Sequence, residues 1–259
     1  MKKILFVHVP KTSGTSLVRV LKERIPGFFV QANAASQLDP RDPLLGRVRD
    51  LADVRSVLEL HGGLALHVDS SFEPTRRTTD YRSLAWLLFE PDNITYFRQF
   101  TIVTMLRDPY RSFLSSYAFV KRAKERDAGF VPDLSLGSVH SYLEQAHPNA
   151  ILHFLLEPQL ARRRTMTPED LARVKARIAE YPIHVGIYER YAESIACFAR
   201  VLERAFGVRD VPSMNAGEGT PGDDAGLEES FRTRNRLDQE LYAFCCRLFE
   251  ERLRGGGGG

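Results

Sequence analysis

Cysteine is scarce in this chain, and the three that it contains are not spaced for a structural role. Cys197 stands alone, and Cys245 is followed directly by Cys246. Three cysteines cannot form a disulfide framework, and none of them has the spacing of a zinc site. The pattern therefore predicts buried free thiols in a reducing compartment.

Long apolar runs are also missing. The run near the N-terminus covers only residues 4–9, and His8 interrupts it. A signal peptide needs roughly 7–15 apolar residues before a cleavage site, and a membrane-spanning helix needs about 20. We therefore expect a soluble protein of the cytoplasm without a membrane span.

Neither sign of charge is in clear excess. The chain has 36 Lys and Arg against 33 Asp and Glu, a net charge of +3 that is too small to indicate a nucleic-acid partner. Hydrophobic residues make up 43% and charged residues 27% of the 259 residues, which excludes disordered and fibrous classes. Because no linker separates two cores, we expect one domain over residues 1–254 and a disordered glycine tail at 255–259.

Three strand-length apolar runs are each followed by a helical pattern. The runs are residues 4–9, 100–106 and 183–188, and the second is followed by Pro109, which suits a first helical turn. Strands that alternate with helices predict an α/β fold: a central, mainly parallel sheet flanked by helices.

Three helices, of which the second follows the run at residues 183–188, and two loops complete the predicted organisation. Helices are predicted over residues 168–179, with Thr167 as the N-cap, over 192–206 and over 238–253. Residues 39–46 and 213–226 are predicted as loops, and the second is rich in glycine.

The polar turn at residues 10–16, named here the phosphate loop, joins the first strand to the first helix. Ligands of open α/β sheets bind where strands end, and a helix N-terminus offers unpaired N–H groups to an anion. Lys11 adds a full charge, and Gly14 allows close backbone approach. The loop therefore indicates phosphate binding, although a plain turn with an exposed lysine is the alternative.

The phosphate loop does not follow the GxxxxGK[ST] pattern. In that pattern the lysine follows the glycines at the helix start, whereas Lys11 precedes Gly14. An ordinary ATPase or GTPase is therefore disfavoured.

A second candidate anion site follows the central strand. Arg107 ends that strand, and Ser115 lies eight residues on in the next helix. Arginine is well suited to phosphate. The alternative is an Arg107–Asp108 surface pair with a serine bonded to its own helix. Two anion sites on one sheet predict a ligand with phosphates at two different positions.

These segments resemble the sulfotransferases that use 3′-phosphoadenosine 5′-phosphosulfate (PAPS). Residues 8–17 (HVPKTSGTSL) are similar to the family's 5′-phosphosulfate loop, and residues 104–117 (TMLRDPYRSFLSSY) to its 3′-phosphate element. Residues 185–194 and 237–242 resemble later segments of the glycan O-sulfotransferase branch, which includes heparan sulfate 2-O- and 6-O-type enzymes. The resemblance implies a P-loop-kinase-like sulfotransferase fold and an O-sulfotransferase that requires no metal.

The resemblance also implies site residues. Lys11 would contact the 5′-phosphosulfate and stabilise the leaving phosphate, and Arg107 and Ser115 would bind the 3′-phosphate. The 5′-phosphate would be wrapped by the rest of the loop, namely Thr12, Ser13, Gly14, Thr15 and Ser16. Ser13 departs mildly from the pattern, because this branch often has glycine there.

A base is needed to take the proton of the acceptor hydroxyl, and histidine is the default. The glycan branch carries its histidine between the two phosphate elements, usually beside glycine. His61, in Leu60-His61-Gly62-Gly63, is therefore our choice, with His67 in reserve. His8 lies on the first strand and is expected to be a packed core group. The long stretch after His61 includes Trp86; we expect it to pack rather than to shape the acceptor cleft.

Several alternatives remain open. The basic runs at residues 121–126 and 162–164 are solvated helix ends, or else a groove for an anionic acceptor. The expected acceptor is a hydroxyl, on a saccharide or glycoconjugate. A small-molecule or nucleotide kinase with a divergent loop, and an inactive nucleotide-binding relative, are the competing functions. The sequence does not indicate the oligomeric state.

Overall fold

The computed structural model covers most of the chain. It describes residues 3–31, 43–46, 48, 50–66, 69–71, 80–126, 137–157, 165–181, 183–207, 209 and 225–255. Within these ranges, no helix combines the length and apolar character that a membrane crossing requires.

The centre of the molecule is a six-stranded sheet in which every neighbouring pair is parallel. Its strand order is β3-β2-β4-β1-β7-β8, and a separate antiparallel hairpin pairs β5 with β6. The strands within the described ranges are β1 (Ile4–Val7), β2 (Phe28–Gln31), β3 (Leu45–Gly46), β4 (Gly63–Leu66), β5 (Asp69–Ser71), β6 (Asp80–Arg82), β7 (Thr101–Leu106) and β8 (Ile183–Ile187). The predicted α/β fold with a parallel sheet is confirmed.

Helices flank this sheet, and short 3₁₀ turns occur at Ala85–Leu88, Pro91–Asn93 and Tyr188–Arg190. The α-helices are α1 (Gly14–Arg24), α2 (Leu51–Leu60), α3 (Ile94–Phe97), α4 (Pro109–Arg126), α5 (Val139–Gln145), α6 (Ala150–Leu156), α7 (Pro168–Glu180), α8 (Tyr191–Val201), α9 (Ala225–Arg234) and α10 (Arg236–Gly255).

The helix boundaries match several predictions and correct others. α4 begins at Pro109, and α7 begins after Thr167, whose side chain forms a capping box with Asp170. The helix predicted over residues 192–206 ends at Val201, and the closing helix starts at Arg236.

Both predicted loops are shorter than expected. Residues 45–46, at the end of the predicted loop over 39–46, form a short strand that pairs with β2 at the edge of the sheet. Residues 213–224 lie outside the described residues, and 225–226 already belong to α9. The closing helix extends to Gly255, one residue into the expected glycine tail, and 256–259 are outside the described residues.

The sheet separates two apolar clusters because successive side chains of a strand point to opposite faces. Leu5 packs with α6, α7 and α10 on one face, whereas Phe6 packs with α1 and α8 on the other. Full burial of one such side chain contributes about 1.5–3 kcal/mol to the free energy of folding. β1 and β7 are buried along their whole length and therefore hold the centre of the sheet rigidly.

The segment after His61 packs where it is described. Leu88, Phe97 and Phe100 lie in the larger apolar cluster, and Trp86 contacts that cluster while partly exposed. The expected packing is therefore confirmed over residues 83–100. The cysteines are free thiols; Cys197 and Cys245 are buried, as expected, and Cys246 is half-buried.

Candidate active site

The two predicted anion elements lie side by side at one edge of the sheet. β1 and β7 are adjacent and parallel, with Val7 opposite Thr104, so their carboxyl ends meet at the same edge. The phosphate loop follows β1, and Arg107 follows β7 directly. Burial, then the charge of Arg122 and then the charge of Arg107 lower the pKa of Lys11, and the contribution of Arg107 is expected for cations on neighbouring strand ends.

The backbone of the phosphate loop is coiled in a way that L-residues rarely adopt. Lys11 and Ser13 both have φ of 66°, in the left-handed region. This conformation costs about 1–2 kcal/mol for a residue with a side chain, and such strain concentrates at binding sites. Alternating handedness turns successive N–H groups toward one point, which makes a concave site for an anion. A glycine in place of Ser13 would relieve part of this strain.

Gly14 is required because the His8 ring fills the space beside it. A Cβ at residue 14 would lie 1.8 Å from His8 Cδ2, far inside van der Waals contact. The His8 ring is buried and stacks on Phe6, with the ring centres 5.6 Å apart. His8 is thus a packed core group, as expected, and its ring packs against the phosphate loop at Gly14.

The loop hydroxyls are not all available to a ligand. Thr12 is buried, and its hydroxyl donates to the Val9 carbonyl at 2.7 Å. Ser16 is also buried, whereas Ser13 and Thr15 are half-buried. A role for Thr12 in anion binding must therefore use its backbone, because its hydroxyl closes the loop.

Lys11 has an aromatic neighbour instead of a carboxylate. Within the described part of the chain its ammonium forms no ion pair or hydrogen bond, and it lies 4.2 Å from the centre of the Phe119 ring. Burial, and then the charges of Arg122 and Arg107, lower the pKa of Lys11 to about 8. When an anion binds beside it, the charged form of a lysine whose pKa is lowered in this way is stabilised.

Arg107 is held by the turn that follows β8. Its guanidinium carbon lies 4.5 Å from the centre of the Tyr188 ring. Its Nε is buried and has no hydrogen-bond partner among the described residues. A buried donor without a partner costs free energy, so the arrangement indicates that an acceptor binds there.

Asp108 does not form the surface pair with Arg107 that the sequence left open. Its carboxylate caps the start of α4 by accepting the Arg111 N–H at 2.9 Å, and it pairs with Arg232 at 3.5 Å. Its own N–H donates to Glu189 at 3.0 Å. These contacts leave the Arg107 side chain free for a ligand.

Ser115 lies on α4, half-buried, on the same helix face as Phe119 and Arg122 at spacings of four and seven residues. In the described residues its hydroxyl makes no hydrogen bond to its own helix. The alternative of a self-bonded serine is therefore wrong.

Two tyrosines that sequence reasoning missed connect the two anion elements. Tyr191 hydrogen-bonds to the Ser13 side chain, and its ring meets Tyr188 edge-on, with the ring centres 5.8 Å apart. Tyr188 in turn lies under Arg107. The sequence signals were their position directly after β8, at an edge where parallel sheets bind ligands, and their place in the segment 185–194 that resembles the glycan O-sulfotransferase branch.

Phe119 and Arg122 were also missed as site residues. The basic run at residues 121–126 forms the end of α4, and Arg122 within it contributes to lowering the pKa of Lys11. Residues 162–164, the other basic run, lie outside the described residues.

The structure does not bring His61 to this site, which corrects its prediction as the base. His61 is the C-cap of α2 and precedes β4, so it lies at the amino edge of the sheet. There its ring packs beside Phe29, with the ring centres 5.2 Å apart. A four-residue strand spans about 13 Å, and the phosphate loop lies beyond its opposite end.

His67, the reserve, lies outside the described residues. It follows Leu66, the last residue of β4, and the Leu66 carbonyl accepts the His8 N–H at 2.8 Å at the carboxyl edge.

Across the described residues, no three His, Cys, Asp or Glu side chains are grouped to hold a metal ion.

Comparisons with known proteins give low similarity. No protein-family model matches the chain, and no curated protein matches it. Among solved structures, it is similar to mouse sulfotransferase SULT7A1 complexed with PAP, with 13% identity over 92% of this chain and 66% of that one, and a TM-score of 0.42. It thus spans slightly less than two thirds of that enzyme.

A sulfotransferase from Alicyclobacillus acidocaldarius is a second structure to which the chain is similar. The identity is 15%, the match covers 96% of each chain, and the TM-score is 0.45. Likeness at these values does not identify the function of this chain.

Proposed function

We propose that the chain is a sulfotransferase that moves the sulfuryl group of PAPS to an acceptor hydroxyl. The acceptor oxygen attacks sulfur while the bond from sulfur to the 5′-phosphate oxygen breaks, so that adenosine 3′,5′-bisphosphate leaves. The hydroxyl proton passes to a base. As in phosphoryl transfer, catalysis then requires positioning and stabilisation of charge on the leaving group.

One observation supports this proposal: Lys11 and Arg107, on the two candidate anion-binding elements, lie at adjacent strand ends. Among the described residues Lys11 has no anionic partner, and the Arg107 Nε has no acceptor. A ligand with phosphates at two positions satisfies both, with the 5′-phosphate on the coiled loop and the 3′-phosphate on Arg107 and Ser115. A nucleoside triphosphate carries its phosphates in one row and leaves Arg107 unmatched.

The acceptor and the base extend the proposal further. We take the acceptor to be a hydroxyl of a saccharide or glycoconjugate, as the glycan-branch resemblance implies. His67 replaces His61 as the proposed base, because it follows a strand that ends at the edge where the phosphate loop lies. His67→Ala should abolish transfer with nucleotide binding retained, whereas His61→Ala should retain both.

Calorimetric titration with adenosine 3′,5′-bisphosphate, run beside ATP with Mg²⁺, tests the function. We expect binding of the bisphosphate at micromolar concentration or below without added metal, and weak binding of ATP. Tight binding of Mg²⁺–ATP with no response to the bisphosphate would contradict the proposal and favour a kinase. Bisphosphate binding without transfer to any acceptor hydroxyl would instead identify an inactive relative.

Arg107→Ala tests the assignment of the 3′-phosphate. Loss of a charged hydrogen bond corresponds to about 1.5–3 kcal/mol, so we expect the bisphosphate to bind roughly 10–150-fold more weakly. Adenosine 5′-monophosphate should change by less than threefold, roughly, because it lacks the group that Arg107 binds. Both affinities are measured by the same titration.

Arg19→Ala is the matched control for this change. Arg19 is an exposed arginine on α1 that pairs with Glu23, away from the two strand ends. Its removal should alter neither affinity. Equal losses for both ligands in Arg107→Ala would show that Arg107 does not distinguish a 3′-phosphate.

A further inference from the structure

The contact between Lys11 and Phe119 joins two unusual features of the site. The Phe119 side chain is 38% exposed, one of two large exposed apolar residues in the described part of the chain. Lys11 is the residue proposed to contact the leaving phosphate, and its ammonium lies against the face of the Phe119 ring. An exposed ring beneath an unpaired ammonium calls for a functional explanation.

We propose that Phe119 is a positioning residue that holds the Lys11 ammonium in place while the anion site is empty. This inference rests on the proposed function, since it gives Lys11 a leaving phosphate to meet. The face of the ring attracts a cation through its quadrupole without carrying a charge of its own. The ring therefore holds the ammonium in place without neutralising its charge before the anion binds.

A carboxylate at this position would act differently. It would form an ion pair with Lys11, and the incoming phosphate would have to displace it. An aliphatic side chain would cover the lysine stem but would not attract the ammonium. The other charges that act on Lys11 are repulsive, because Arg122 and Arg107 both disfavour its charged form. The aromatic ring is thus the neighbour that offsets this repulsion without competing for the site.

The helix position of Phe119 supports this role. Ser115, Phe119 and Arg122 lie on one face of α4 at spacings of four and three residues, which are those of neighbours on a helix. The face that presents the ring to Lys11 therefore also carries the serine proposed for the 3′-phosphate. Other titratable groups near Lys11 are His8 beneath the loop and Tyr191, which bonds to Ser13.

The test compares Phe119→Leu with Phe119→Tyr, which keeps the ring. The first measurement is the rate of acylation of Lys11 against pH, followed by mass spectrometry, because only the neutral amine reacts. We expect Phe119→Leu to lower the apparent pKa of Lys11 by roughly half a unit, since the ring stabilises the charged form. Phe119→Tyr should leave it within about 0.2 units.

The second measurement is calorimetric affinity for adenosine 3′,5′-bisphosphate at pH 7.5. Phe119→Leu should weaken binding about three- to fivefold, and Phe119→Tyr by less than twofold, because a positioned ammonium loses less freedom on binding. The matched control is Phe244→Leu, which removes the ring 5.9 Å from the Lys175 ammonium. That variant should change neither the Lys11 pKa nor the affinity.

The outcomes separate this inference from the proposed function. An unchanged Lys11 pKa and unchanged affinity in Phe119→Leu would overturn the role of Phe119. Failure of the unsubstituted protein to bind the bisphosphate would overturn the proposed function, and the acylation profile would still decide whether Phe119 holds Lys11. An equal pKa decrease in Phe119→Tyr would also contradict the inference, because the ring would then not be the cause.

Discussion

The charge of Lys11 depends on what occupies its surroundings. In the empty site, burial and the arginines Arg122 and Arg107 lower its pKa to about 8, so that near this pH half of the molecules carry a neutral lysine. A bound phosphate favours the ammonium and raises the pKa again. Binding therefore takes up a proton at pH values above about 8.

We predict that affinity for adenosine 3′,5′-bisphosphate falls as the pH rises through 8. Between pH 7.5 and 9.5 the protonated fraction of Lys11 decreases roughly 20-fold, and the affinity should decrease by up to the same factor. The ligand itself does not titrate in this range, because the second pKa of a phosphate is about 6. Titrations in two buffers of different ionisation enthalpy measure the proton uptake directly.

Lys11→Arg is the control, because arginine stays charged over this range. Its affinity is expected to be nearly flat between pH 7.5 and 9.5. The same steep decline in Lys11→Arg would assign the pH dependence to another group, such as Tyr191.

Among the helices, α6 and α10 are joined by reciprocal caps that are buried. Asp238, in the first turn of α10, accepts the N–H groups of Ile151 and Leu152 at 2.9 and 3.0 Å. In return, Asn149 accepts the Asp238 N–H at 3.1 Å, and Asn235 accepts the Asn149 N–H at 2.7 Å. Each helix start thus satisfies unpaired backbone donors of the other.

We predict that Asp238→Ala lowers the free energy of unfolding by about 3 kcal/mol, because two buried N–H groups lose their acceptor. Asp238→Asn keeps one acceptor oxygen and should cost about half as much. Denaturant unfolding measures both. Arg247→Ala, at an exposed position of the same helix, should stay within about 0.5 kcal/mol of the unsubstituted protein. A similar loss in Arg247→Ala would show that α10 is sensitive everywhere rather than at its cap.

The residues at the strand ends of the site could be predicted because the signal for each lies in the adjacent sequence. Lys11, Gly14 and Arg107 each lie within a few residues of the end of an apolar strand. The end of the strand therefore indicates at which edge of the sheet these residues lie. His61 was misplaced because β4 begins with Gly63 and contains no β-branched residue, so the sequence did not indicate a strand there. Without β4, nothing in the sequence places His61 before a strand.

The partners of these residues could not be predicted, because they lie far away along the chain. Phe119 reaches Lys11 from α4, and Tyr188 reaches Arg107 from the turn after β8. Such contacts depend on how the helices pack across the sheet, which periodicity does not specify. Propensity and spacing therefore predict the cations of the site, and tertiary structure provides their aromatic neighbours.

At the scale of the whole molecule, one connection between α10 and the anion site runs through the carboxylate of Glu189. Tyr242 of α10 donates to Glu189 Oε2 at 2.6 Å, and Glu189 Oε1 accepts the Asp108 N–H at 3.0 Å. Burial, and then the Glu189 hydrogen bond, raise the pKa of Tyr242 above its usual value, so the hydroxyl stays a donor. Glu189 follows Tyr188 in one turn, and this turn therefore holds both the Arg107 side chain and the Asp108 backbone.

We predict that Tyr242→Phe weakens binding of adenosine 3′,5′-bisphosphate about threefold and leaves binding of adenosine 5′-monophosphate unchanged. The change removes a hydrogen bond that holds Glu189, and Glu189 positions only the Arg107 side of the site. Tyr181→Phe is the matched control, because the Tyr181 hydroxyl is buried without a hydrogen-bond partner among the described residues. In a Glu189→Ala background, Tyr242→Phe should have no further effect, since its partner is gone. Additive losses in the double variant would mean that α10 supports the site by another route, whereas non-additive losses would indicate that α10 acts on the Arg107 side of the site through Glu189.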